Sequence, residues 1–421
     1  MDTKTLAPQN FAERVIWYSI TRTYLFYILG ALYILAPVIA WVLLFHLGIK
    51  LYRQTELTPQ HERIIIPIGV WVWVVAMLVM EIALLVGHAD FELGLGKTIK
   101  STIGWAKGWA LIAIFPLIGC LQVRAELIYK ATAIVCLHTL ILMPFLIAAY
   151  LIGLPKDLYV SPLKIVGGPG PEYFTVTLYG INPDGTPRWR LFTPWGPALG
   201  FVANFYFIFA LQLKGTRWFY FGIIGSVLMC LVSKSRLALV CIAIVGVASW
   251  AISRLTRLPI LSAFSLSSVS AGINAPTIIQ TLDDFNQKFK SARADSSRVR
   301  SALGRIATDR WENEAMVWGH GIVEKGPHLV EYMMIGSHHT WYGLLFVKGV
   351  VGFIALAVAM TYSFIDLVIK AQKNVICRVG VSIILILFLY TFGENLEILA
   401  YLYWPALVVL GIALKQGSDE E

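Results

Sequence analysis

Hydrophobic residues in this chain fall into long unbroken runs instead of alternating with polar ones. Runs cover about 24–48, 64–86, 104–121, 131–153, 195–213, 217–233, 236–253, 258–275, 340–369, 379–393 and 398–414. Each predicts a helix that crosses, or nearly crosses, the ~30 Å hydrocarbon core of a bilayer. Two polar connections are long, 154–194 and 276–337. The first contains Gly167-Gly-Pro-Gly-Pro171 and Pro183-Asp-Gly185, which favour turns over helix. In the second, Val299, Leu303 and Ile306 recur at helical spacing with Arg300, Arg305, Asp309 and Arg310 between them. That pattern predicts an amphipathic helix, starting at Arg298 behind a capping Asp295-Ser-Ser297, on the membrane surface or over a cavity. Residues 278–290 predict a second one.

Composition agrees. The chain has 421 residues, 57% of them hydrophobic and 14% charged, with a mean hydropathy of +0.70. A soluble domain cannot hide that much apolar surface, so the fold class is an all-α polytopic integral membrane protein. No cleavable signal peptide is expected, because no small-residue cleavage site follows the first apolar run. The net charge of +9 does not point to nucleic acid here, since short cytoplasmic loops collect Lys and Arg. Five cysteines without CxxC spacing read as packing residues.

Orientation follows from the short loops. Those at 49–63, 122–130, 214–217, 254–257 and 370–378 are basic, whereas the turn at 393–397 carries only Glu394 and Glu397. Placing the basic loops in the cytoplasm sends both long loops to the periplasmic side and the tail after Lys415 inside. Eleven spans would leave the N-terminus outside, although Lys4, Arg14 and Arg22 favour inside. A twelfth span within 10–120, broken or short, removes the conflict. The expected regions are N-terminal helices in 1–153, a first periplasmic loop at 154–194 and central helices in 195–275. A large periplasmic loop follows at 276–338, then C-terminal helices and a cytoplasmic tail in 339–421.

Ionisable side chains at the outer boundary are the candidates for chemistry. Arg190 precedes a span, Arg236 sits at a tight outer turn after Ser235, Arg298 opens the amphipathic helix, and His338 with His339 ends the second loop. Arg188 and Arg300 lie close in sequence to two of them. One outer arginine alone reads as a snorkelling side chain. Several with a histidine suit an anionic lipid headgroup, above all a pyrophosphate, because guanidinium forks match phosphate oxygens. Neighbouring arginines would lower the pKa of His338 below the usual ~6.5, leaving it neutral and able to accept a proton from a hydroxyl. His339 is expected to orient or hydrogen-bond. No metal or cofactor is expected: Asp283 and Asp284 are adjacent and diverge on a helix, and His320 and His328 lack ligand partners at zinc spacing. No Walker A loop or nucleophile elbow is present in the sequence.

The order Arg190, Ser235-Arg236, Ser297-Arg298, Gly319-His-Gly321, then His338 with Gly349 eleven residues on, resembles the O-antigen ligase and polymerase superfamily over residues 188–365. Two positions depart from its pattern. His339 stands where asparagine is usual, and Tyr342 stands where leucine is expected. Arg300 is an alternative counterpart of Arg298, because the interval from Arg298 to Gly319 is slightly long. The resemblance implies a GT-C-like, inverting, metal-independent glycosyltransferase of about twelve spans in the bacterial inner membrane, with its active site facing the periplasm. Its donor would be a polysaccharide on undecaprenyl pyrophosphate and, for a ligase, its acceptor a sugar hydroxyl of lipid A–core. Arg190, Arg236 and Arg298 would hold the pyrophosphate and His338 would align or deprotonate the acceptor. A polymerase shares these motifs; a lipid-linked oligosaccharide flippase is the alternative outside enzymes.

Overall fold

A computed structural model describes residues 6–182, 185–277, 280–281 and 294–417. The expected second amphipathic segment at 278–290 and the Asp283-Asp284 pair lie outside them, save for 280–281. Among the described residues, every apolar run is helical. The helices are α1 (Phe11–Thr21), α2 (Thr23–Ile28), α3 (Leu32–Arg53), α4 (Ile68–Asp90), α5 (Leu95–Lys107), α6 (Trp109–Gly119), α7 (Ala125–Leu151) and α8 (Gly196–Ala210). They continue as α9 (Arg217–Val232), α10 (Arg236–Ile252), α11 (Leu258–Ile273), α12 (Ala294–Glu314), α13 (Thr340–Ala371), α14 (Val375–Thr391) and α15 (Leu396–Lys415).

The protein is a multi-pass membrane protein. Seven helical segments among the described residues are long and apolar enough to cross a bilayer: Leu32–Arg53, Ile68–Asp90, Leu95–Gly119, Ala125–Leu151, Gly196–Leu213, Thr340–Ala371 and Leu396–Lys415. At about 1.5 Å per residue, α9, α10, α11 and α14 fall a few ångströms short of a ~30 Å core, although they are equally apolar. Phe45, Phe145, Val247 and Ile369 are exposed on the flanks, as lipid-facing side chains must be. All five cysteines are buried and unpaired, as packing residues.

The two ends of the bundle differ. At one end, Lys370 Nζ donates to Leu414 O at 2.9 Å, Gln372 Nε2 donates to Ile252 O at 2.8 Å, and Arg124 pairs with Glu13 at 2.7 Å. At the other end lie both long connections. The segment from Asn10 to Leu29 joins the two. Asn10 Nδ2 reaches Gln122 O at 2.7 Å on the basic side, whereas Leu29 O accepts from Ser161 Oγ at 3.1 Å in the first long loop. Helices α1 and α2, broken at Arg22, therefore run from one end of the bundle to the other. No apolar run marks α1, because Glu13, Arg14 and Arg22 interrupt it, whereas α2 takes the start of the run expected at 24–48, which breaks between Ile28 and Leu32.

The first long loop is not free of regular structure. β1 (Asp157–Val160) pairs antiparallel with β2 (Thr175–Thr177), and β3 (Gly180–Ile181) with β4 (Pro187–Arg188). These small ribbons are an exception to the all-α expectation. They arise where Gly and Pro forbid helix but Tyr, Val and Thr favour extended chain.

The second long loop is built into the bundle through a helix break. Gly349 interrupts α13 with φ +61°, a conformation natural to glycine, and a Cβ there would collide with Val317 O. A break orphans carbonyls before it and N–H groups after it, and a membrane interior supplies no water to satisfy them. The chain at 316–321 does so instead. His320 N and Gly321 N donate to Phe346 O and Val347 O at 2.9 Å each, while Val350 N and Val351 N donate to Met316 O at 3.0 Å and Val317 O at 3.3 Å. Helix α12 then packs Val299, Leu303 and Ala307 against Val330, Ile335 and Phe346. It spans Ala294–Glu314, so Asp295-Ser-Ser297 lies within the helix instead of preceding it. Its exposed edge overhangs the cavity described next.

Candidate functional site

At the long-loop end the bundle encloses a cavity of about 670 Å³. Its walls come from elements far apart in sequence. The first loop gives Glu172, Tyr173 and Arg188, and the start of α8 gives Trp195. Helix α12 gives Arg300, the segment before α13 gives Tyr332–His338, and the turn before α15 gives Glu394 and Asn395. Trp109, Lys348 and Glu397 lie deeper, at breaks or starts of helices.

The sequence candidates divide into two groups. Arg188, Arg300 and His338 line this cavity. Arg190, Arg236, Arg298, Ser235 and His339 are not among its lining residues. Arg190 instead secures the first loop: it donates to Pro194 O at 2.8 Å, hydrogen-bonds Thr177 Oγ1, and lies 3.7 Å from Asp157. Arg298 ties α12 to the loop beneath it through Leu329 O at 2.6 Å and an ion pair with Glu331. Ser235 caps α10, its Oγ accepting from Ala238 N at 3.4 Å, and Arg236 starts that helix with an exposed side chain. Of the pair Arg298 and Arg300, only Arg300 lines the cavity; two residues on a helix face different sides.

Arg188 is held by geometry the sequence did not reveal. Its Nε donates to Ser233 O at 2.9 Å, and its guanidinium lies where a Cβ on residue 196 would stand. Gly196 therefore leaves the space that brings this cation beside Trp195.

The two histidines have separate surroundings. His339 caps α13, its Nδ1 accepting from Tyr342 N at 3.4 Å, and its ring lies 4.1 Å from that of Tyr342. His339 and Tyr342, the two residues that depart from the resemblance noted in the sequence, thus touch each other. A histidine caps where an asparagine would, and the aromatic ring at 342 covers it. His338 faces the cavity. Its pKa is lowered to about 4, first by burial and second by Arg300. The direction matches expectation, but burial is the larger cause.

Glu394 is the group that sequence reading passed over. It is 4% exposed, accepts from Trp195 Nε1 at 2.9 Å, and its carbonyl accepts from Thr340 Oγ1 at 2.7 Å. Burial raises its pKa to about 7, against the opposing effects of Arg300, the Trp195 hydrogen bond and Arg188. Comparison with known proteins finds no family model that matches the chain and no curated protein that matches it. The site must speak through its own chemistry: Arg188, Arg300 and Lys348, the carboxyls Glu172, Glu394 and Glu397, and the His338 imidazole around one chamber. Lys348 was also legible in principle, as a charge inside an apolar run, and Glu397 as the second carboxylate of the turn before the last run. His320, without a partner at zinc spacing in the sequence, is stacked between Phe91 and Phe346 with Nε2 2.8 Å from Glu314, a structural clamp on the 316–321 segment.

Proposed function

We propose that the chain is a glycosyltransferase of the O-antigen ligase kind, moving a polysaccharide from undecaprenyl pyrophosphate to a sugar hydroxyl of lipid A–core. The observation that carries this reading is the gathering of Arg188, Arg300 and His338 around one cavity at the long-loop end of a membrane bundle. The lipid pyrophosphate is already a good leaving group, so the protein has to supply positioning and charge stabilisation. Arg188 and Arg300 would hold the pyrophosphate and offset the negative charge that grows on it as the sugar departs. His338, kept neutral, would accept a hydrogen bond from the attacking hydroxyl. We place the chain in the inner membrane with twelve spans in a GT-C-like arrangement, the α1–α2 segment being the twelfth, and with the cavity facing the periplasm.

The test is transfer in vitro from a defined undecaprenyl-pyrophosphate oligosaccharide to purified lipid A–core, with wild type, Arg188→Ala, Arg300→Ala and His338→Ala. The reading requires product with wild type and losses of about 10²-fold or more when a charge-stabilising or proton-handling group is removed. Wild-type rates in all three variants would overturn it. A polymerase, the second reading, shares the cavity; it would join two lipid-linked repeat units in the same vessel and leave lipid A–core bare.

A further inference from the structure

We propose that Glu394 takes up the proton released by the acceptor hydroxyl, while His338 serves to aim that hydroxyl. The inference rests on the transfer reading above and assigns the proton within it. Four observations converge on this carboxyl. It lines the same cavity as His338, Arg188 and Arg300. Its residue is held at two points: Trp195 Nε1 donates to Oε2 at 2.9 Å, and Thr340 Oγ1 donates to the backbone carbonyl at 2.7 Å while itself accepting from Leu396 N at 3.1 Å. Thr340 lies two residues after His338, so the same hydroxyl fixes the carboxyl relative to the imidazole. Finally, Arg300 from α12 and Arg188 from β4 line the same cavity and favour its ionised form.

The remaining charged or titratable neighbours are Tyr173 from the first loop and Tyr390 from α14, with Glu172, Lys348 and Glu397 elsewhere in the cavity wall. A pyrophosphate that engages Arg188 and Arg300 takes away the cations that keep Glu394 ionised. The carboxylate then becomes a stronger proton acceptor at the moment the acceptor hydroxyl arrives. His338, by contrast, is held neutral and weakly basic by its burial and by Arg300. In the step, the hydroxyl oxygen bonds to the anomeric carbon. The bond from that carbon to the pyrophosphate oxygen breaks, its electron pair leaving on the lipid pyrophosphate, and the hydroxyl proton moves to Glu394.

The experiment is the pH dependence of kcat/KM for the purified full chain from about pH 5 to about pH 9, the range where such groups change charge. Wild type should rise through one limb near neutrality. Glu394→Gln should lower the rate by about 10²–10⁴-fold and abolish the limb; Glu394→Asp should recover part of the rate with the limb displaced. His338→Gln should lower the rate and leave the limb in place. Persistence of the limb in Glu394→Gln, or its loss in His338→Gln, overturns the assignment. Glu394→Gln that transfers at the wild-type rate overturns it alone, whereas wild type without product overturns the transfer reading together with it. Gel-filtration profile and thermal midpoint identify a misfolded variant, for which Glu394→Asp decides.

Discussion

Gly349→Ala is the sharpest test of how the second long loop is anchored, and it does not depend on any view of function. Alanine at φ +61° costs about 1–3 kcal/mol of backbone strain. Its Cβ also strikes Val317 O, so the segment at 316–321 has to move away. That movement threatens four backbone hydrogen bonds between 316–321 and 346–351, each worth about 0.5–1.5 kcal/mol net. Strain plus half of those bonds already amounts to about 3 kcal/mol, which is more than 100-fold in a local opening equilibrium. Amide hydrogen exchange followed by mass spectrometry reads this directly at His320 and Gly321, whose N–H groups point into the break. Exchange at these two amides should accelerate by about 100-fold or more, while amides in α7, remote from the break, keep their protection. Rates within about threefold of wild type at His320 and Gly321 would refute the idea that glycine is required to seat this segment.

Three further outcomes follow from the site. Arg300→Gln removes a cation that lowers the pKa of both His338 and Glu394, so both should titrate at higher pH; the limb of the rate profile moves upward, and an unmoved limb argues that Arg300 does not face them. Trp195→Phe deletes a hydrogen bond that favours ionised Glu394, so the limb again moves to higher pH; an unmoved limb argues that this bond does not act on the carboxyl. His339→Ala should destabilise the start of α13 by about 1 kcal/mol and His339→Asn should restore it, measured as thermal midpoints in detergent; equal midpoints for all three proteins would dismiss the capping role.

The membrane-spanning helices were legible because lipid imposes one demand, an uninterrupted apolar run with its backbone satisfied internally. Helix α1 escaped that signal, and α2 was merged with α3 in the run at 24–48. Glu13 is buried against Arg124, a partner in another helix, and no window of hydropathy reveals such neutralisation. The outer arginines were legible as a class but not individually. Sequence order gives their side of the membrane, while their direction depends on packing, such as the space at Gly196 that admits Arg188. Arg190 and Arg298 have the same chemistry and are turned toward Asp157 and Glu331 instead. Glu394 was seen only as a sign of loop polarity, because its environment comes from Trp195, Arg188 and Arg300, residues roughly one hundred to two hundred positions earlier. Its location in a charged turn between two spans was the available clue.

Helix α15 is buried along nearly its whole length, from Leu396 to Leu414, with its flanks against α3, α4, α6, α8, α13 and α14. All of those neighbours leave the ribosome before it does, and chains generally assemble from the N-terminus onward. The earlier helices must therefore wait as a ring with an unfilled centre. The turn that carries Glu394 arrives with the helix that fills it, and Thr340 gains its carbonyl and amide partners at the same moment. Until then the cavity lacks the wall that Glu394, Asn395 and Glu397 supply.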